Sequence, residues 1–154
     1  VDAAKEAWLV KTLGVFKNEQ AAQLLVRMSL ISSRNKEDWT AFNQAMVKMI
    51  TDAGPIKGAG PKTSFMLNFT RKFVEAAPAD HFPDALNWAD LLLKTDVNPS
   101  NVIDLLTFKK VIYSKMGNAD MVTEMNNRIA TQNNIKADLE KNGTIFPGAM
   151  RGYM

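Results

Sequence analysis

Cysteine is missing from this sequence. Its absence excludes disulfides, thiol nucleophiles, iron–sulfur clusters and cysteine-bound zinc together, and it fits either redox compartment. Histidine is nearly missing too. His81 is the only one, and a histidine metal site or a catalytic histidine needs partners that the neighbouring residues do not supply. Long apolar runs are lacking. The richest patch, Leu24–Ile31, is interrupted by Arg27 and Ser29, well short of the ~20 residues that span a bilayer. No stretch alternates apolar and polar residues between turn signals, so no strand is expected. A strong charge of one sign is absent as well: the net charge is +3. That balance permits nucleic acid as a partner but does not call for it. Residues 1–77 carry 11 Lys/Arg against 7 Asp/Glu, and residues 78–154 carry 8 against 9, a scatter typical of solvated helix faces.

The 154 residues that are there, 46% apolar and 23% charged, suit one globular domain with a substantial core. Val1 in place of an initiating Met is read in two ways. The chain is a processed, secreted or periplasmic form, or it is a fragment of a larger protein; both readings stay open.

Seven helices are expected. The first covers Asp2 to about Gly14 and carries Ala4, Ala7, Trp8, Leu9 and Leu13. The second is capped by Asn18 and reaches about Ser33 with a stripe of Ala21, Leu24, Leu25, Met28 and Ile31. Val26 and Leu30 lie off that stripe, so the second helix is expected to be covered on two sides. The third takes its start from the Asn35/Asp38 spacing, a capping-box pattern, and its apolar face from Trp39, Phe42, Met46, Met49, Ile50 and Ala53. Gly54–Lys62 is a Gly/Pro-rich loop dividing a three-helix front (1–53) from a four-helix back (63–143). The fourth helix, capped by Thr63 or Ser64, presents Phe65, Met66, Phe69, Phe73 and Ala77 and closes at Pro78. The fifth starts at Pro83 with Leu86, Ala89 and Leu93 on one face and Trp88 and Leu92 on another.

The stretch Asn98–Arg128 is the most completely punctuated. Asn98 is a cap and Pro99 fits the first helical position. Gly117 supplies a left-handed stop, and Asn118 caps the last helix, which runs from Ala119 to about Lys141 and ends at Gly143. In the sixth helix, Val102, Leu105, Leu106, Phe108, Ile112, Tyr113 and Met116 spread over an arc of roughly 160°, which predicts a helix packed on two sides. The polar run Gln132–Asn134 is a candidate bend in the seventh. Residues 144–154 are an irregular tail with Ile145, Phe146, Met150 and Tyr153.

Short turns between helices with more than one apolar side suggest stacked helical hairpins. Leu93–Asn101 resembles the junction between tetratricopeptide repeats, and Tyr113 followed by Gly117–Asn118 resembles the turn inside such a repeat. The resemblance covers roughly Ser64–Asn134. It pairs the sixth helix with the seventh and the fourth with the fifth. Lys110, Val122, Asn126 and Ile129 depart from the small and aromatic residues the repeat carries. Phe69–Lys94 is also similar to helical segments that flank the thioredoxin-like domain in some secreted bacterial proteins. There the helical part is a scaffold, and no redox activity carries over to a chain with neither Cys-x-x-Cys nor βαβ.

Residues 54–64 superficially resemble a phosphate-binding loop, but Pro61 stands where that motif needs glycine, and a helix rather than a strand precedes it. Lys57, Lys62, Arg71 and Lys72 remain as a basic anion- or nucleic-acid-binding set. The carboxylate neighbours Glu37/Asp38 and Asp138/Glu140 diverge on their helices or sit at helix ends, where the macrodipole accounts for the first pair. The nine methionines read as adaptable core filler or as a pliable groove. The expected architecture is therefore an all-α stack of about seven antiparallel helices in one domain. The expected function is non-catalytic: a scaffold or adaptor, without cofactor or metal, that holds a protein partner in a groove of the back helices. The groove would use whichever of Trp88, Lys109, Tyr113, Met116, Met121 and Met125 are exposed. The alternatives are the basic module and a structural subunit of a larger assembly.

Overall fold

A computed structural model describes residues 3–15, 19–52 and 62–143. Among them there is no strand. The helices are α1 (Ala3–Val15), α2 (Glu19–Asn35), α3 (Trp39–Thr51), α4 (Lys62–Phe69), α5 (Arg71–Ala76), α6 (Phe82–Leu93), α7 (Pro99–Lys115) and α8 (Ala119–Lys141), with one 3-10 turn at Ala79–His81. The Thr70 N–H donates to Met66 O at 3.1 Å and the Val74 N–H to Thr70 O at 2.9 Å. Helical bonding thus runs on from α4 into α5, and the count of helical rods is the seven expected. The interruption arises at Thr70, whose hydroxyl bonds back to Leu67 O at 3.2 Å, a contact that competes with the helix. The expected caps Asn18, Thr63 and Ser64 fare differently. Asn18 lies outside the described residues, as do Ala53–Pro61 and the tail, whereas Thr63, which is buried, and Ser64 both lie inside α4 rather than capping it.

The chain forms two compact units, Val1–His81 and Phe82–Met154. The division falls between residues 81 and 82, beyond the loop at 54–62 and between the helices that the repeat resemblance pairs.

In the first unit α2 is covered on two sides. Val26, Leu30 and Ser33 are buried, and α2 packs against α3 as well as α1. Met28, Ile31 and Ser32 line a cleft with Glu6 and Leu9 of α1. Trp39, Phe42, Met46, Met49 and Ile50 of α3 are buried as the periodicity required. Trp39 meets Phe42 and Phe73 edge-on, with centroids 5.5 and 5.3 Å away. Such aromatic pairs contribute about 0.5–1.5 kcal/mol each beyond burial. α1 continues through Gly14 to Val15 rather than stopping there.

In the second unit α7 is the central helix, packed on α6 and on α8. Leu105, Leu106, Phe108 and Ile112 are buried along it, the wide arc read from the sequence. On α6 the buried residues are Phe82, Ala85, Trp88, Ala89 and Leu92. The better-covered face is thus the one with Trp88, and Leu86 and Leu93 are half-buried. α8 runs unbroken through Gln132–Asn134, and Met125 is its one buried residue.

Two turns repeat one geometry. At the end of α7, the Gly117 N–H donates to Ser114 O (3.1 Å) and the Asn118 N–H to Tyr113 O (3.0 Å); Gly117 has φ +72°. Asn118 Oδ1 then accepts from the Met121 N–H at 3.1 Å. At the end of α2, the Glu37 N–H donates to Arg34 O (3.2 Å) and the Asp38 N–H to Ser33 O (2.9 Å). Glu37 has φ +55°, and Asp38 Oδ1 accepts from the Ala41 N–H at 3.1 Å. Both are Schellman stops whose last residue caps the next helix. Asp38 is therefore the cap of α3, and Asn35 is the last residue of α2. Each pair of equivalent residues stands 80 positions apart (37 and 117, 38 and 118, 41 and 121). So do the starts of α2 and α7 (19 and 99), and both helices have 17 residues. The same spacing joins Trp8 of α1 to Trp88 of α6.

Candidate functional site

α7 is fixed at both ends. Asn98 Oδ1 accepts from the Ser100 N–H at 3.0 Å and starts α7, and Asp96 steadies that cap by accepting from the Asn98 N–H (3.1 Å) and Asn101 Nδ2 (2.9 Å). The Gly117–Asn118 stop holds the other end. At this tip stand Tyr113, half-buried; Met116, 45% exposed; and Met121, half-buried. A shallow depression beside them is lined by Ser114, Gly117, Asn118, Ala119, Val122 and Thr123.

The other three residues of the expected groove are not on the surface. Trp88 and Met125 are fully buried. They fill the core because each lies on the helix face turned towards neighbours, so only an opening of the fold would present them. Lys109 is buried as well. Its ammonium lies 2.6 Å from Asp90 Oδ1 on α6 and 5.8 Å from the centre of the Tyr113 ring. A lysine this enclosed needs a countercharge, and Asp90, with about half of its side chain in water, provides it. Lys109 therefore ties α6 to α7 and supports Tyr113 from behind. The sequence pattern missed this role because the partner lies 19 residues away.

The basic set does not assemble as expected. Lys57 lies outside the described residues. Lys62 Nζ donates to Ile50 O at 2.9 Å and to Asp52 O, so it neutralises the carbonyl end of α3 instead of waiting for an anion. Lys72 is 4.0 Å from Glu37, and Arg71 is exposed. Two further arginines contact rings on α4: Arg34 lies 5.3 Å from the centre of Phe69 and Arg27 6.0 Å from that of Phe65. These contacts engage the cations with aromatic faces.

A cleft of about 180 Å³ opens between α1 and α2. Leu9, Met28 and Ile31 form its apolar wall, and Glu6 its polar end, where Ser32 Oγ donates to Glu6 Oε1 at 2.7 Å and Lys36 lies 3.6 Å from Oε2. His81 ends the 3-10 turn and its N–H donates to Pro78 O at 3.1 Å. Among the described residues no group of three or more His, Asp or Glu is placed to hold a metal ion, and no helix is long and apolar enough to cross a membrane. The class that the fold defines is an all-helical protein of two compact units. Comparison with protein-family models, with curated proteins and with solved structures found no match.

Proposed function

We propose that the protein is a non-catalytic scaffold, a stack of helical hairpins of the tetratricopeptide type, that holds a protein partner at the tip of the α7–α8 hairpin. The observation that supports this reading is the arrangement of that tip. Tyr113, Met116 and Met121 reach the surface there, while Lys109, Trp88 and Met125 are buried. An apolar, adaptable pair of methionines beside an aromatic suits a partner's helix or extended segment. The rigid turn keeps the ordering cost of binding low. The test is affinity capture from a native extract with the intact chain and with Tyr113→Ala and Met116→Asp. The expected result is one protein retained by the intact chain and lost from both variants, whose circular dichroism and unfolding midpoints stay unchanged. Binding that survives both substitutions, or that is lost only together with the fold, would rule out the tip as the docking site.

A further inference from the structure

The end of α8 holds a pair of residues that the scaffold reading does not use. Asn142 is followed by Gly143, and every other asparagine in the sequence is followed by a residue that carries a side chain. An asparagine side-chain amide is open to attack by the main-chain nitrogen of the next residue, and a side chain on that residue obstructs the ring that forms. Glycine puts nothing there. Position completes the selection. Most of the other asparagines lie inside helices, where the N–H that follows is held by the i→i−4 bond and the rotation that attack needs is blocked. Asn98 and Asn118 lie outside, but their side-chain oxygens already accept from the Ser100 and Met121 N–H groups. Asn142 is past the last residue of α8 and exposed. Its N–H donates to Asp138 O at 3.2 Å and the Gly143 N–H to Glu140 O at 3.0 Å. Among residues 136–143 Lys136 and Leu139 are half-buried and the rest are exposed, so this turn opens at little cost.

We propose that Asn142 is a site of spontaneous covalent modification, deamidation through a succinimide, with water as the co-reactant. The Gly143 nitrogen gives up its proton to solvent and attacks Cγ of Asn142. An N–Cγ bond forms, the Cγ–Nδ2 bond breaks, and the amide nitrogen leaves as ammonia, taking a proton from solvent. Water then opens the ring at one of its two carbonyls. Opening at the Cγ carbonyl gives aspartate. Opening at the main-chain carbonyl gives iso-aspartate, whose main chain passes through the β-carbon. Nothing is oxidised or reduced. Geometry sets one condition. Asn142 has φ −85° and ψ 10°, a conformation in which the Gly143 N–H is bonded back to Glu140 O. Attack needs rotation about the Asn142 Cα–C bond, which breaks that bond, and Gly143, with no Cβ, does not resist the rotation. The product matters to the helix. A carboxylate at residue 142 joins Asp138 and Glu140 at the negative end of the α8 dipole, where negative charge is unfavourable. Deamidation therefore loosens the last turn, and iso-aspartate adds a carbon to the main chain between α8 and residues 144–154.

Peptide mapping by mass spectrometry of the intact chain, held in warm, mildly alkaline buffer, tests this. The aspartyl and iso-aspartyl forms of the peptide that contains residue 142 separate by chromatography, and both carry the mass gained when an amide becomes a carboxyl. The expected result is loss of the Asn142 amide in the folded chain at a rate within about tenfold of the rate in urea, where the whole chain is open. The other asparagines of the folded chain react at least about tenfold more slowly than Asn142. Asn142→Gln, which enlarges the ring that would have to form, abolishes the modification and leaves the circular dichroism unchanged. Gly143→Ala slows the loss in urea, where folding plays no part. Amide hydrogen exchange in the last turn of α8 is faster after modification than before. Four results would overturn the proposal: a folded chain that keeps the Asn142 amide while the urea-unfolded chain loses it; another asparagine that reacts as fast; a rate in urea indifferent to Gly143→Ala; or a last turn whose hydrogen exchange is the same before and after modification.

Discussion

Removing either partner of the Lys109–Asp90 pair should have unequal consequences. The ammonium is enclosed, with 7% of its side chain exposed, and the carboxylate is 51% exposed. In Lys109→Met, an apolar side chain of similar length fills the same channel between α6 and α7, and Asp90 turns to water at little cost. Replacing a buried pair's charge by a matched apolar group is close to neutral, so stability should stay within about 1 kcal/mol of wild type. In Asp90→Ala, the ammonium is left enclosed without its countercharge. Breaking a fully buried pair in this way costs about 3–5 kcal/mol. Here the wet side of Asp90 gives Lys109 a route towards solvent, which lowers the figure to about 2 kcal/mol. The double variant should recover most of that loss, because it removes the stranded charge. Urea unfolding followed by circular dichroism reads all three. With a slope of about 2 kcal/mol/M, Asp90→Ala lowers the midpoint by about 1 M and the other two move it by less than about half of that. If Lys109→Met were as damaging as Asp90→Ala, or the double variant failed to recover, the pair would be a net source of stability and the desolvation argument would be wrong.

The two Schellman turns make a paired prediction. Glu37→Gly should stabilise by about 0.5–1 kcal/mol, since a side chain at φ +55° carries a left-handed penalty that glycine lacks, and the 4.0 Å contact with Lys72 is an exposed pair of little worth. Gly117→Ala should destabilise by about 1 kcal/mol through backbone strain alone, because an added Cβ meets nothing within 4 Å; thermal unfolding distinguishes the signs. Asn118→Ala should cost about 1 kcal/mol by freeing the Met121 N–H, read as a lowered urea midpoint. Ser100→Ala should be neutral or stabilising in the same measurement. The Ser100 hydroxyl is the one buried side-chain polar atom without a hydrogen-bond partner among the described residues, and removing such a group relieves its desolvation.

What the sequence expressed clearly was local. Asn98, Pro99, Gly117, Asn118 and Gly143 act within a few residues of themselves, through a cap bond, a fixed φ or a left-handed conformation. Those boundaries agree with the structure to within a residue or two. Glu37 shows the limit of such reading. The turn after α2 has the same hydrogen bonds as the turn after α7, yet nothing in Lys36-Glu37-Asp38 advertises a left-handed residue, because the surrounding bonds impose it against side-chain preference. Which apolar face lies deepest was less legible. On α6 both the Leu86/Leu93 and the Trp88/Leu92 sides are apolar, and only the packing of neighbouring helices decides that the second is the better buried.

The same limit explains the site. Helical spacing pairs Met121 with Met125, and Met116 closes the helix before them, but exposure belongs to the neighbours rather than to the residue, and it separates Met125 from the other two. Trp8 and Trp88 bring the point to a single comparison. Both are tryptophans in the helix that precedes a 17-residue helix, but their same-face neighbours differ: Lys5 and Thr12 stand at i−3 and i+4 of Trp8, Ala85 and Leu92 at those places around Trp88. The distance of 80 between them lay open in the sequence too, but the residues that share a helix face with each are not alike: Ala85 and Leu92 are buried with Trp88, whereas Lys5 is exposed and Thr12 half-buried beside Trp8. An exposed tryptophan alone is unremarkable surface, and Trp88 shows that the same residue type at the same distance before a 17-residue helix is buried when the helix face around it is apolar.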